Sequence, residues 1–144
     1  MDSAPLPDDA AVVELRAARI PFIGAIAHHH WFVVERERRD RWEVWQNAGA
    51  GGECSWGHLH KNLLPADAGV GSGPSWVVKR WCGQAAGTLA ARIERSPLTY
   101  PWCHKYHYWP GPNSNTYAQW VLDGALRLGR CGVGRGYCRG RSGG

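Results

Sequence analysis

Aromatic and β-branched residues crowd two short stretches, 29–35 and 42–46, on either side of a charged turn at 36–41, and this pattern predicts a β-hairpin. A third apolar stretch, 75–82, reads as another strand. From Gln84 to Arg95, Ala86, Leu89, Ala90 and Ile93 recur on one helical face, and Ser96-Pro97 is expected to end that helix. Lys105 to Tyr108 reads as a fourth strand feeding a Pro-Gly-Pro turn. Beyond it, Thr116 and Gln119 have capping-box spacing, and Tyr117, Trp120, Val121, Gly124 and Leu128 keep helical spacing until Gly129, predicting a helix over 115–128. Asp8 to Arg19 carries Ala and Leu at helix-compatible positions and is read as a short helix or arm. Residues 48–75 are rich in Gly, Pro and Asp and are read as a long irregular excursion. The expected fold class is α+β, a small antiparallel sheet packed with helices: 1–19 an N-terminal arm or short helix, 20–129 one domain, 130–144 a basic tail.

The segment Trp109-Pro-Gly-Pro-Asn-Ser-Asn-Thr-Tyr117 carries the chemistry. Pro110 and Pro112 fix φ around Gly111, and the asparagines can bond nearby backbone, so Ser114 sits on a stiff turn at a helix mouth. Its hydroxyl is expected to face free backbone N–H groups. This string resembles a known family, together with Ile20-Pro21, His29-His30-Trp31-Phe32-Val33-Val34, Tyr100-Pro101, Tyr106 and Gly134-Arg135-Gly136-Tyr137. The family is the bacterial domain of unknown function 3750, and the resemblance spans roughly residues 12 to 138. The family has no established activity to carry over. More distantly, the chain is similar to permuted papain-like enzymes of the NlpC and lecithin:retinol acyltransferase type. There a strand histidine comes first and an Asn-Cys helix start second; here Asn113-Ser114 stands in the second place. The resemblance implies a permuted papain-like fold and a hydrolase or acyltransferase acting on an amide or ester bond.

That resemblance selects His29 as the partner of Ser114, whereas the tighter His-Trp pairing of some relatives would select His30. Alternation along a strand puts His29, Trp31 and Val33 on one face and His28, His30, Phe32 and Val34 on the other, so only one set can look at Ser114. The expected catalytic set is Ser114 as nucleophile, His29 as base and Glu43 as the group that orients it, with Asn47 and His60 as further orienting candidates. A serine cannot be ionised by a helix terminus as a thiol can, so it needs a true general base. Trp31, Trp109, Asn113 and Asn115 are the expected substrate-binding residues, the tryptophans offering flat faces to a small-molecule, peptide or lipid ligand.

Composition narrows these readings. The chain has 144 residues, enough for one domain with a core supplied by nine tryptophans. No stretch is long and apolar enough to read as a membrane span. Five cysteines (54, 82, 103, 131, 138) form an odd count without a framework, which favours free thiols and a cytoplasmic setting. Cys54, His58, His60, Cys103, His104, His107 and the His28–His30 run supply ligand types but no paired zinc spacing, so neither metal nor other cofactor is expected. The glycines at 49–52 and 69–73 lack the Lys-Ser/Thr ending of a phosphate-binding loop. The net charge of +5 arises entirely after Gly124, where five arginines meet no acid. Nucleic acid is not the expected partner, because so few charges give only weak, salt-sensitive contacts.

Overall fold

The computed structural model describes residues 11–46 and 52–137. Val12–Arg19 (β1), His28–Glu35 (β2), Arg39–Val44 (β3), Cys54–Trp56 (β4), Leu59–Lys61 (β5) and Trp76–Trp81 (β6) build one six-stranded sheet in the order β4-β5-β3-β2-β1-β6. Every pairing is antiparallel. Gly83–Thr99 (α1) and Ser114–Leu122 (α2) complete the α+β fold. No helix among the described residues is long and apolar enough to cross a membrane.

The expected hairpin is present as β2 and β3, with Phe32 opposite Trp42 and Glu35 opposite Arg39. The N-terminal segment departs from expectation: Val12–Arg19 is neither arm nor helix but a strand between β2 and β6. Its alternation explains why. Val13 and Leu15 enter the main core while Glu14 and Arg16 point to the other face and bond each other, a period of two that neighbouring strands reward over helix propensity. Lys105–Tyr108 forms no strand; the His107 N–H bonds the Pro112 carbonyl at 2.9 Å instead. Within the excursion, residues 54–61 fold into the small β4–β5 hairpin.

Both helices pack on one face of the sheet, over Val13, Leu15, Phe32, Val34, Trp42 and Val44. Ser96-Pro97 does not stop α1. Pro97 lacks the N–H that would bond the Ile93 carbonyl, and the Ser96 hydroxyl donates to that carbonyl instead, at 2.6 Å. With its proton so used, Ser96 Oγ accepts from the Tyr117 hydroxyl at 2.8 Å, joining the two helices. The second helix is shorter than expected. It ends at Leu122, where Asp123 turns to φ +50°, and the Gln119 side chain ties down the descending chain: its amide donates to the Asp123 and Leu126 carbonyls and its oxygen accepts from Leu128 N–H.

The opposite face is closed by the segment between β5 and β6. Trp31 Nε1 donates to the Ala66 carbonyl at 2.9 Å, and Arg41 Nη1 donates to the carbonyls of Pro65 and Ala68 at 2.9 and 2.7 Å. Arg41 is fully buried, lies over the Trp31 ring at 3.9 Å and forms a two-toothed pair with Glu43 at 2.8 and 3.0 Å. The four described cysteines are free; Cys138 lies outside the described residues, as do Asn47 and the basic tail beyond Tyr137.

A buried charge stripped of its partner is strongly destabilising, so Arg41→Ala is expected to cost about 3–5 kcal/mol, read from urea unfolding midpoints. Glu43→Gln with Arg41→Met should recover much of that loss, because it removes both charges together.

Candidate functional site

The Pro-Gly-Pro turn holds two cis peptide bonds, Trp109-Pro110 and Gly111-Pro112. Gly111 sits at φ +123°, where a Cβ would press on Thr116 Oγ1 and the Tyr137 ring. Behind the turn, Asn113 and not Thr116 is the cap of α2. Asn113 Oδ1 accepts from the N–H groups of Asn115 and Thr116 at 3.0 and 3.2 Å, and Thr116 Oγ1 accepts from Asn113 N–H at 3.1 Å, completing the capping box. Those two N–H groups are therefore occupied, contrary to the expectation of free donors around Ser114. Ser114 itself is 3% exposed, and neither its N–H nor its hydroxyl has a hydrogen-bond partner among the described residues. Beside it lies a cavity of about 10 Å³ lined by Tyr106, Tyr108, Asn113, Asn115 and Val133, room for about one water molecule.

The Asn115 side chain makes four bonds. Its amide nitrogen donates to the carbonyls of His28 and Val133 at 2.8 and 3.0 Å, which orients the amide; its oxygen accepts from His30 N–H at 3.2 Å and pairs with His30 Nδ1 at 2.8 Å. An oxygen can only accept, so His30 carries its proton on Nδ1 and leaves Nε2 bare. Burial pushes the His30 pKa down to about 4, the Asn115 bond opposing it, so the ring is neutral at pH 7. A neutral, oriented imidazole with a bare nitrogen is a base.

His29 is not on this face. The pleat of β2 turns it away from α2 with Trp31 and Val33, so the expected trio of Ser114, His29 and Glu43 is divided across the sheet. The structure does bring His29 and Glu43 together: His29 Nε2 donates to Glu43 Oε1 at 2.6 Å, with both side chains buried. Burial lowers the His29 pKa against the pull of Glu43. For Glu43 burial works upward, but the His29 and Arg41 contacts carry it down to about 2. The group is thus a neutral imidazole beside a balanced Arg41–Glu43 pair. His29 Nδ1 has no hydrogen-bond partner among the described residues, and its ring lies against Trp31 and Trp45 at 5.3 and 4.3 Å between centroids.

The other expected residues separate similarly. Trp31 is packed under Ala66 and Arg41 and lines no cleft, Asn113 and Asn115 bind backbone, and Trp109 alone stands out in solvent, 71% exposed. His60 belongs to a pairing the sequence did not suggest. It is buried on β5, its Nε2 donates to the Trp45 carbonyl at 3.2 Å, and its Nδ1 accepts from the Ser55 hydroxyl at 2.7 Å. His60 lies opposite Glu43 in the β3–β5 register, so Ser55, His60, Glu43 and His29 form a polar row across the loop-covered face. No group of three or more His, Cys, Asp or Glu side chains is arranged to hold a metal ion among the described residues.

Asn115→Leu would strand the His28 and Val133 carbonyls and the His30 N–H, and should lower stability by about 3 kcal/mol in urea unfolding. The His29 and Glu43 pKa values both lie below their ordinary values, so the stability they confer is complete above pH 6.5. It drains as pH falls, the His29 share below 6.5 and the Glu43 share between about 4.5 and 2, a decline that thermal melts across this range would track.

The chain belongs to the family described as protein of unknown function (DUF3750), whose profile matches residues 10–137. No curated protein and no solved structure matches it.

Proposed function

We infer that this member of the DUF3750 family is a hydrolase or acyltransferase working on an amide or ester bond, with Ser114 as nucleophile and His30 as base. The observation that carries the reading is the His30–Asn115 bond: the residue that fixes the imidazole tautomer is the immediate neighbour of Ser114 on α2. The order of parts, a strand histidine followed by a nucleophile at a helix start, supports a permuted papain-like arrangement. As Oγ attacks the acyl carbon, its proton passes to His30 Nε2; the same proton then leaves with the amine or alcohol when the tetrahedral adduct collapses to the acyl-serine. Water, deprotonated by the same nitrogen, splits that ester. The Ser114 N–H, which the cap leaves unused, is aimed by the helix start toward the developing oxyanion. His29 and Glu43 act from behind, holding β2 in register.

The low exposure of Ser114 and the one-water cavity beside it favour a second reading, a silent domain that keeps the fold and binds a ligand. Intact-mass measurement after treatment with a fluorophosphonate separates the two. An enzyme gives one adduct on Ser114, lost in Ser114→Ala and His30→Ala and retained in His29→Gln, each variant first shown to melt cooperatively. Its labelling rate should climb with pH through about 4, as His30 loses its proton, and then level off. A folded protein that takes no adduct is the silent domain.

A further inference from the structure

Beyond the small cavity at Ser114, larger cavities open among the described residues, and their charges differ. One, of about 460 Å³, is lined by Arg38, Arg39 and Asp40, and its arginines are neutralised: Arg38 pairs with Asp40 and Glu53, Arg39 with Glu14, Glu35 and Asp67. Another, of about 580 Å³, opens beside the Pro-Gly-Pro turn and is lined by Trp109, Arg127, Arg130, Val133, Arg135 and Tyr137, with no acidic side chain in its wall. Arg127 and Arg130 are exposed and form no ion pair among the described residues. Lys105 adds a further cation, bonded to the Tyr137 hydroxyl at 3.2 Å and standing over that ring at 5.8 Å.

Arg127 and Arg130 share one cavity wall, and the planar forks of two arginines match a phosphate's oxygens better than a single carboxylate could satisfy them. Trp109 supplies the second half of the site. It is the most exposed tryptophan of the described chain and it lines the cavity, so its ring is open to a ligand there. The volume is that of a small-molecule site. We propose that this cavity binds a small phosphate monoester bearing a planar ring, the phosphate on Arg127 and Arg130 and the ring on Trp109. The proposal stands whether or not Ser114 reacts. Val133 lines both this cavity and the Ser114 cavity, so a bound phosphate ester would adjoin the helix mouth.

The test is isothermal titration of the full chain at low ionic strength with phenyl phosphate, inorganic phosphate, benzoate and a short single-stranded oligonucleotide. Phenyl phosphate is expected to bind more tightly than either inorganic phosphate or benzoate, and to weaken as salt is added. Arg127→Ala/Arg130→Ala, two exposed positions, should raise its Kd about tenfold or more, the loss of at least one charge-assisted contact. Trp109→Ala should bring phenyl phosphate down to the affinity of inorganic phosphate while leaving the latter unchanged. The proposal is overturned by an absence of binding at millimolar phenyl phosphate, by an unchanged Kd in the double variant, or by benzoate binding as well as phenyl phosphate. Far tighter binding of the oligonucleotide would also overturn it, marking the surface as a nucleic-acid site.

Discussion

Strand β2 is covered on both faces, by α2 on one side and by the segment after β5 on the other, so every polar group it carries must find its partner inside the protein. That requirement arranges much of what surrounds it. His29 turns to the loop-covered face and meets Glu43, whose charge in turn demands Arg41; Arg41 has donors to spare and directs them to the loop that closes the face. His30 turns to the helix face and meets Asn115, whose remaining donors hold the His28 and Val133 carbonyls. Two adjacent residues of one type thus organise two opposite layers.

The two layers differ in what they can do. Behind the sheet the histidine is locked between an acid and aromatic rings, and it serves as filling and hydrogen-bond partner. In front, the histidine keeps one nitrogen bare, and beside its orienting asparagine stands a serine whose hydroxyl has no hydrogen-bond partner among the described residues. A bonded serine–histidine pair also exists on the other side, Ser55 with His60, yet there the hydroxyl proton is already committed to the ring and the ring's second nitrogen to a carbonyl.

How much of this could be read from the sequence depends on range. The hairpin of β2 and β3, the apolar face of α1 and the Asn-Ser-Asn turn declared themselves through neighbouring residues. The period of two also left only two ways of assigning the histidines, though no local pattern could choose between them; the pairing of His30 with Asn115 spans 85 positions. Phe32 and Val34 were a usable sign, since the helices cover the face on which they lie and His30 shares it. The alanines and leucine of Val12–Arg19 suit a helix in isolation, and only β2 and β6 make it a strand. The end of α2 differs from its expected place for a similar reason. By spacing alone Gln119 belongs to the helix start, whereas it serves the chain beyond the helix end.

The fastening of the 62–75 segment has a further consequence. Arg41 and Trp31 hold its middle through the carbonyls of Pro65, Ala66 and Ala68, and Ser75 Oγ holds the Asp67 carbonyl. A main-chain carbonyl is the same whatever side chain it adjoins. The path of this segment's middle is therefore set largely by the sheet beneath it; Asp67, paired with Arg39, and Asn62, which accepts from Arg41 N–H, add side-chain ties, and the unbonded outward side chains are left free to be rewritten. Over a fully buried charge cluster, the protein carries a surface much of whose chemistry rests on side chains that do not hold its shape.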